Sequence, residues 1–170
     1  MSKNKLMPTI VLSAICICVV ALLAVINMFT APQIAANQEE KLQNALLEVM
    51  PKGGSFEEIE NIESLPESVT DAFKSANGGY VIQIKTAGYK TGLVIVCGIN
   101  AEGQITGAKF TQSNETLGAE SVLGEKYVGK TLTDYTSVEV VSGATMTSKG
   151  YQGAIADALA AFEILKGGNE

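Results

Sequence analysis

Four hydroxyl side chains lie within seven residues near the end of the chain. They belong to the stretch VVSGATMTSKGYQG, residues 140–153, and are Ser142, Thr145, Thr147 and Ser148. A turn of small residues here precedes an apolar stripe of helical period, so a helix is predicted to begin near Thr147 or Ser148. The first amide groups of a helix lack internal partners and carry positive potential, which suits a phosphate group.

Helix capping is the alternative explanation of this hydroxyl cluster. A Ser or Thr cap accepts a hydrogen bond from a first-turn amide and contributes about 1 kcal/mol. One cap needs one hydroxyl, so four hydroxyls exceed what capping requires. The stretch matches neither GxGxxG nor GxxxxGK[ST], which removes the usual nucleotide fingerprints. The residues alone therefore leave both an anion site, with Lys149 as a nearby cation, and a purely structural turn open.

The composition of the chain excludes several classes of function. The 170 residues contain no His and, because all 12 basic residues are Lys, no Arg. Without His there is no Ser-His-Asp or Cys-His catalysis and no His-bearing zinc site. Without Arg the usual bidentate clamp for phosphate is absent. The net charge of −6 argues against nucleic acid as a partner. We predict no catalytic side chain and no metal site.

An apolar segment near the amino terminus predicts a membrane anchor. Residues 10–29 are apolar apart from Ser13 and Asn27. About 20 apolar residues, at a rise of about 1.5 Å each, cross the hydrocarbon core of a bilayer. A cleaved signal peptide is the alternative, but the residues before Ala31 and Ala36 do not form a small-x-small cleavage site.

The distribution of lysines predicts the orientation of this anchor. Lys3 and Lys5 precede the apolar segment, and the next cation is Lys41. Because cytoplasmic flanks are enriched in cations, the amino terminus is predicted to lie in the cytoplasm and the rest of the chain outside the cell membrane. Cys97 is the only cysteine of that outer part, so no disulfide is expected within it.

Apolar patterns predict an antiparallel sheet in the middle of the chain. Residues 80–85 alternate as in a half-buried strand, and residues 93–99 form a continuous apolar run typical of a strand covered on both faces. After a tight turn, residues 105–111 are predicted to return antiparallel. Residues 137–141 are a further predicted strand. The acidic stretch 55–68 is predicted to be a solvated loop.

Helices are predicted on either side of the strands. Apolar residues repeat at three and four over residues 32–50, and a second stripe runs from Tyr151 to Leu165. The predicted fold class is therefore α+β: a single N-terminal transmembrane helix followed by one extracytoplasmic domain with an antiparallel sheet flanked by helices. The predicted segments are 1–30 for the cytoplasmic terminus and anchor, 31–54 for an amphipathic helix leading into the domain, and 55–170 for the domain.

The motif Ser-Gly-Ala-Thr-Met-Thr-Ser at 142–148 resembles the flavinylation motif of the FMN-binding domain family. This family includes the G subunit of the Rnf electron-transport complex and the C subunit of the sodium-pumping NADH:quinone reductase. The segments 79–81, 93–100 and 103–107 are similar to the family's core hairpin. Residues 114–118, Asn-Glu-Thr-Leu-Gly, are similar to its E-T-P-G-L-G loop, shortened by two residues. Glu139 stands where the family usually has Asp.

The resemblance implies that FMN is covalently bound through a phosphoester to Thr145, installed by a separate flavin transferase of the ApbE type. It also implies two groups of contacts. The phosphate would be surrounded by Ser142, Gly143, Ala144 and Thr147. The flavin would lie beside Glu115, Thr116, Leu117 and Gly118. The domain over residues 55–170 would then be the FMN-binding domain.

The implied function is electron relay in an Rnf-type ion-translocating ferredoxin:NAD oxidoreductase complex. The chain would be a redox subunit of this translocase and not catalytic alone. Its partners would be the other membrane subunits, the flavin transferase and the lipid around the single span. Two alternatives remain open: a subunit of the sodium-pumping quinone reductase C type or another electron-transfer system, and a flavin-free anchored binding domain.

Overall fold

Five strands in the middle of the chain form one antiparallel sheet. In the computed structural model, which describes residues 7–115 and 118–168, the strands are β1 (Phe56–Glu58), β2 (Val69–Ser75), β3 (Tyr80–Ala87), β4 (Thr91–Ile99) and β5 (Ile105–Gln112). Their spatial order follows the chain, from β1 to β5, and each pairs antiparallel with the next. The prediction of an α+β fold with an antiparallel sheet is confirmed.

The alternation of side chains along β4 divides the core into two clusters. Ile95 and Cys97 point into the larger cluster, whereas Val96 belongs to a smaller one on the opposite face. All three side chains are fully buried. The prediction that residues 93–99 form a strand covered on both faces is therefore confirmed, since a strand with one wet face would show polar residues at every second position.

Two helices contribute to the larger cluster. They are α2 (Glu120–Tyr127), which packs on β5, and α3 (Thr145–Gly167), which packs mainly on β3. The predicted apolar stripe of α3 is buried, including Tyr151, Ile155 and Phe162. The helix ends at Gly167, and Gly168 is its C-cap. The helix begins at Thr145, two residues before the earliest start that the hydroxyl pattern predicts.

The end of the first helix covers the other face of the sheet. This helix is α1 (Met7–Val49), and its last turns bury Leu46 and Val49 against Val96. Gly98 and Gly107 face each other on β4 and β5 at this contact. A Cβ atom on Gly107 would lie 2.8 Å from the Cα atom of Val49, so the absence of side chains lets the helix approach the sheet closely.

The chain divides into two compact units, of which the first ends at Lys41 and the second begins at Leu42. The first unit contains the apolar part of α1, whose most apolar 18-residue window has a mean hydropathy of 3.1 and no buried residue. This confirms an N-terminal apolar helix long enough to span a membrane. The helix continues through Pro32 without ending. The division of the chain at residues 30 and 54 stays a prediction.

Three local predictions are wrong or incomplete. Residues 138–141 form no strand; a 3-10 helix over Tyr135–Ser137 precedes an irregular segment there. Val138 and Val141 pack against the core from a loop while Val140 stays exposed, so the alternation Val-Glu-Val in the sequence does not correspond to one buried face. The acidic stretch 55–68 contains the short strand β1. The elements β2 and α2 were not predicted, since neither has a pattern of one clear period.

Candidate functional site

The loop from residue 141 to residue 144 delivers Thr145 to the start of α3. Gly143 has a φ of +79°, a conformation that residues with a side chain rarely adopt, and it turns the chain into the helix. Ala144 occupies the N-cap position, and no side chain caps this end. Because no side chain among the described residues caps the helix, capping does not explain the hydroxyl cluster.

The four hydroxyl groups differ in what they contact. The buried Ser148 hydroxyl accepts a hydrogen bond from the amide of Val141 at 3.0 Å and so holds the loop against the helix. The buried Thr147 hydroxyl donates to Glu115 Oε2 at 2.5 Å. The Ser142 and Thr145 side chains are exposed, and no hydrogen bond joins either hydroxyl to another described residue. Two hydroxyls thus build the site, and two are open to solvent.

The start of α3 presents unpaired donors beside the Thr145 hydroxyl. The amides of Thr145, Met146 and Thr147 find no acceptor among the residues that the structure describes, as expected for the first turn of a helix. Aligned peptide dipoles add positive potential at this end. An anionic group bonded to the Thr145 oxygen would therefore lie where the helix stabilises negative charge.

Glu115 connects three segments around this helix start. Its carboxylate accepts hydrogen bonds from the Thr147 hydroxyl and from the amides of Tyr89 and Lys90, at 3.2 and 3.0 Å for the two amides. Partial desolvation acts to raise the pKa of Glu115, but these three hydrogen bonds and the charge of Lys90 outweigh it, so the pKa lies below its ordinary value. Glu115 is therefore held as a carboxylate.

A cavity of about 440 Å³ opens at this point, within the range of about 300–1,000 Å³ typical of small-molecule sites. The turn after β3, the loop after β5 and the start of α3 line it. The lining residues are Tyr89, Glu115, Gly143, Ala144, Thr145, Met146 and Thr147. Of these side chains, Tyr89 and Met146 are large, apolar and 71% and 61% exposed.

The structure brings together five of the nine residues that the motif resemblance implies as flavin contacts. Thr145, Gly143, Ala144, Thr147 and Glu115 share the cavity. Ser142 and Gly118 do not line it; both are exposed, and Gly118 has a φ of +64°. Thr116 and Leu117 lie outside the described residues.

Two cavity residues were not predicted from the sequence. Tyr89 lies in a turn bracketed by Gly88 and Gly92, and Met146 follows the predicted acceptor directly. Both are exposed apolar side chains in segments that belong to no buried stripe. An aromatic residue in a glycine-bracketed turn was the available signal for Tyr89, but loops also hold such residues without function.

The residues of this cavity fit a covalently held phosphate ester. The exposed Thr145 hydroxyl can carry the ester, the small residues 143 and 144 leave room beside it, and the free amides of the first turn can bind the phosphate oxygens. The apolar side chains of the rim suit an aromatic ring. Elsewhere in the described residues, no group of three His, Cys, Asp or Glu side chains is arranged to hold a metal ion.

Comparison with known proteins shows which proteins the chain is similar to. Residues 88–160 match the model of the FMN-binding domain, and residues 1–49 match the model of the RnfG N-terminal region. The FMN-binding domain match contains all residues that line the cavity. It begins after residues 79–81, so it does not include the similarity to the core hairpin predicted for that segment. The G subunit of the Na⁺-translocating ferredoxin:NAD⁺ oxidoreductase complex of Acetobacterium woodii is 29% identical to this chain, over 82% of this chain and 81% of that protein.

The two matched segments follow each other in one chain, as an apolar helix and then the domain with the cavity at Thr145. The similarity to the protein of A. woodii covers most of both chains. Residues 88–160 are therefore similar to the FMN-binding domain, and the chain as a whole is similar to the G subunit of that ferredoxin:NAD⁺ oxidoreductase complex.

Proposed function

We propose that this chain is an electron-transfer subunit of an Rnf-type ion-translocating complex and carries FMN through a phosphoester to Thr145. The observation that carries this proposal is the placement of the Thr145 hydroxyl. It is exposed, has no hydrogen-bond partner among the described residues, and stands at the first residue of α3 inside the cavity. Such a hydroxyl is accessible to a modifying enzyme, and an ester there lies beside unpaired amides.

The residues around Thr145 bind and orient the phosphate. The amides of Thr145 and Met146 are free to donate to phosphate oxygens, and Gly143 and Ala144 let these oxygens approach the backbone. The helix dipole offsets part of the phosphate charge, which replaces the Arg clamp that this chain lacks. When bound, FMN supplies the acceptance and release of electrons, while the protein supplies its position and electrostatics.

A covalent bond suits the proposed position of the domain outside the cell membrane. An apolar helix anchors the domain, and the lysines at residues 3 and 5 favour a cytoplasmic amino terminus. Outside the cell a dissociated cofactor would be lost, and a covalently bound cofactor stays with the protein. The proposed partners are the other membrane subunits of the complex, a flavin transferase of the ApbE type that esterifies Thr145, and the lipid around the span.

The relatives favour an Rnf-type complex over a quinone reductase. The relative in A. woodii is the G subunit of a ferredoxin:NAD⁺ oxidoreductase complex, and the amino-terminal match is to the RnfG region. Ion translocation by the complex and reduction of NAD⁺ are properties in that relative's name, and we propose them for the assembly that contains this chain. The chain itself contributes a redox site.

The test is the intact mass of the protein after co-expression with a flavin transferase. We expect the mass to rise by one FMN less one water, and we expect a fluorescent band after denaturing electrophoresis. Thr145→Ala should lose both, because the acceptor oxygen is gone. Thr136→Ala is the matched control, since Thr136 is also exposed but lies outside both the motif at 142–148 and the cavity. A wild-type chain that gains no mass contradicts the proposal. If Thr145→Ala keeps the added mass and the fluorescence, the ester is on another hydroxyl, such as that of Thr147.

A further inference from the structure

Tyr89 is an aromatic residue that the fold itself does not use. It lies in the turn between β3 and β4, its side chain is 71% exposed, and it belongs to neither hydrophobic cluster. Single exposed apolar residues are common at protein surfaces, so exposure alone has no meaning. What distinguishes Tyr89 is that it lines the cavity of Thr145 and that its amide is hydrogen-bonded there to Glu115.

Glu115 fixes the backbone of this turn. Its carboxylate binds the amides of Tyr89 and Lys90, and the Thr147 hydroxyl donates to the same carboxylate. Hydrogen bonds to an ionised group are about twice as strong as those between neutral groups. The turn is thereby tied to the helical residue two positions after Thr145. We call this arrangement of Glu115, Thr147 and the amides of residues 89 and 90 the Glu115 clamp.

The glycine before Tyr89 shows how closely the clamp packs. A Cβ atom on Gly88 would lie 2.7 Å from Glu115 Oε1 and 3.0 Å from the Cα atom of Thr147. A side chain at this position would displace the Glu115 carboxylate or the helix start. The backbone that carries Tyr89 is therefore in close contact with the backbone that carries the proposed acceptor, which limits how far the two can move relative to each other.

The apolar part of the cavity comes from two exposed side chains. Met146 follows Thr145 directly and is 61% exposed, and Tyr89 is the other large apolar side chain at the cavity. The isoalloxazine ring of FMN is flat and aromatic, and aromatic rings prefer offset or edge contacts with centroids about 4.5–7 Å apart. Methionine sulfur also contacts aromatic rings favourably.

We propose that Tyr89 is the aromatic wall against which the isoalloxazine ring lies, and that the Glu115 clamp positions it there. This inference rests on the proposed function, because it needs FMN at Thr145. Tyr89 contacts the cofactor, whereas Glu115 acts through the turn and is a positioning residue. The Glu115 carboxylate already accepts three hydrogen bonds within the clamp. We therefore assign Glu115 an indirect role toward the flavin.

The experiment compares flavin emission and visible circular dichroism in the flavinylated full-length chain. A phenol ring in contact with an excited flavin donates an electron to it and takes the electron back, which removes emission without net reaction. We expect weak emission from native wild-type protein and a several-fold rise on denaturation. Tyr89→Leu should emit strongly without denaturation and lose most of its flavin dichroism. Tyr89→Phe should emit strongly but keep the dichroism, because the ring remains and the phenol is gone.

Emission is divided by the flavin content that intact mass gives for each variant. Leu132→Ala is the control, since it removes another exposed apolar side chain that does not line the cavity. A fully flavinylated Tyr89→Leu chain with the emission and dichroism of wild type overturns the aromatic wall and leaves the proposed function intact. A wild-type chain without the added mass overturns both.

Discussion

Glu115 illustrates at the scale of one residue how a polar side chain can shape a site by holding the backbone around it. The resemblance of the 114–118 loop implies that Glu115 lies beside the flavin. In the structure Glu115 lines the cavity, and its carboxylate accepts hydrogen bonds from Thr147 and two amides. Ser148 is a second example, because its hydroxyl holds the loop at Val141. The sequence predicts a cluster of hydroxyl side chains at the site. The hydrogen bonds show that Thr147 and Ser148 hold the structure together, whereas Ser142 and Thr145 are exposed.

The lowered pKa of Glu115 predicts a pH dependence of stability. A carboxyl group whose pKa is lower in the folded state stabilises the fold above its unfolded value, and this stabilisation is lost as the pH falls through the folded value. We expect Glu115→Gln to lower the melting temperature at neutral pH. The difference from wild type should shrink as the pH falls below the ordinary value of 4.5. Thermal unfolding followed by far-ultraviolet dichroism from pH 7 to pH 3 measures it.

Glu163→Gln is the control for the loss of one charge, since Glu163 is an exposed residue of α3 that does not line the cavity. A melting-temperature difference for Glu115→Gln that stays constant down to pH 3 would contradict the role of the ionised carboxylate in the clamp.

At the scale of elements, the position of α3 depends on a close approach to β3. Gly150 of the helix faces the carbonyl of Ala87, the last residue of the strand, and a Cβ atom on Gly150 would lie only 2.1 Å from that oxygen. This contact fixes the helix five residues after Thr145. The apolar period predicted the buried stripe of α3, but it did not show which of the helix's glycines packs against the sheet.

Two glycines of α3 give opposite predictions. Gly150→Ala should destabilise the fold by about 1–3 kcal/mol, because the added methyl group forces the helix away from the strand. Gly153→Ala is the matched control: its Cβ atom would meet nothing within 4 Å, and the gain in helix propensity should stabilise by up to about 1 kcal/mol. Urea unfolding of both variants measures the free energies. Equal effects of the two substitutions would show that the contact at Ala87 does not position the helix.

At the scale of the whole molecule, the end of α1 belongs to the domain and not to the anchor. The second compact unit begins at Leu42, and Ala45, Leu46, Val49 and Met50 are buried in its smaller cluster. Burial of each large apolar side chain contributes roughly 1.5–3 kcal/mol. Since a domain is stable by only about 5–15 kcal/mol, the loss of this segment is comparable with the total.

Two fragments test where the domain begins. We expect residues 42–170 to fold as a soluble protein with a cooperative urea transition, because this fragment keeps the cover of the second sheet face. Residues 51–170 should aggregate or unfold, since Phe73, Val81 and Val96 would be exposed without it. Solubility, far-ultraviolet dichroism and unfolding curves compare the two. A stable, soluble shorter fragment would show that the last turns of α1 are dispensable.

Local periodicity predicted much of the fold. The apolar run of residues 93–99, the alternation from Tyr80 and the stripe from Tyr151 each repeat with one clear period over several residues, so they predicted their elements correctly. Residues 138–141 share this alternation in sequence but lie in a loop, because they pair with neither edge strand of the sheet, β1 or β5. Whether an alternating segment pairs depends on a partner elsewhere in the chain, which a local pattern does not contain.

The sequence by itself determined the apolar helix that could span a membrane, the antiparallel α+β class, the motif at Thr145 and the exclusion of His and Arg chemistry. These depend on residue types and on spacings of a few positions. Only the tertiary structure brought Tyr89, Glu115 and Thr145 to one cavity, from segments separated by more than 20 residues each. The physical reason is that a hydrogen-bonded clamp and a close glycine contact depend on distances in space, which spacing along the chain does not fix.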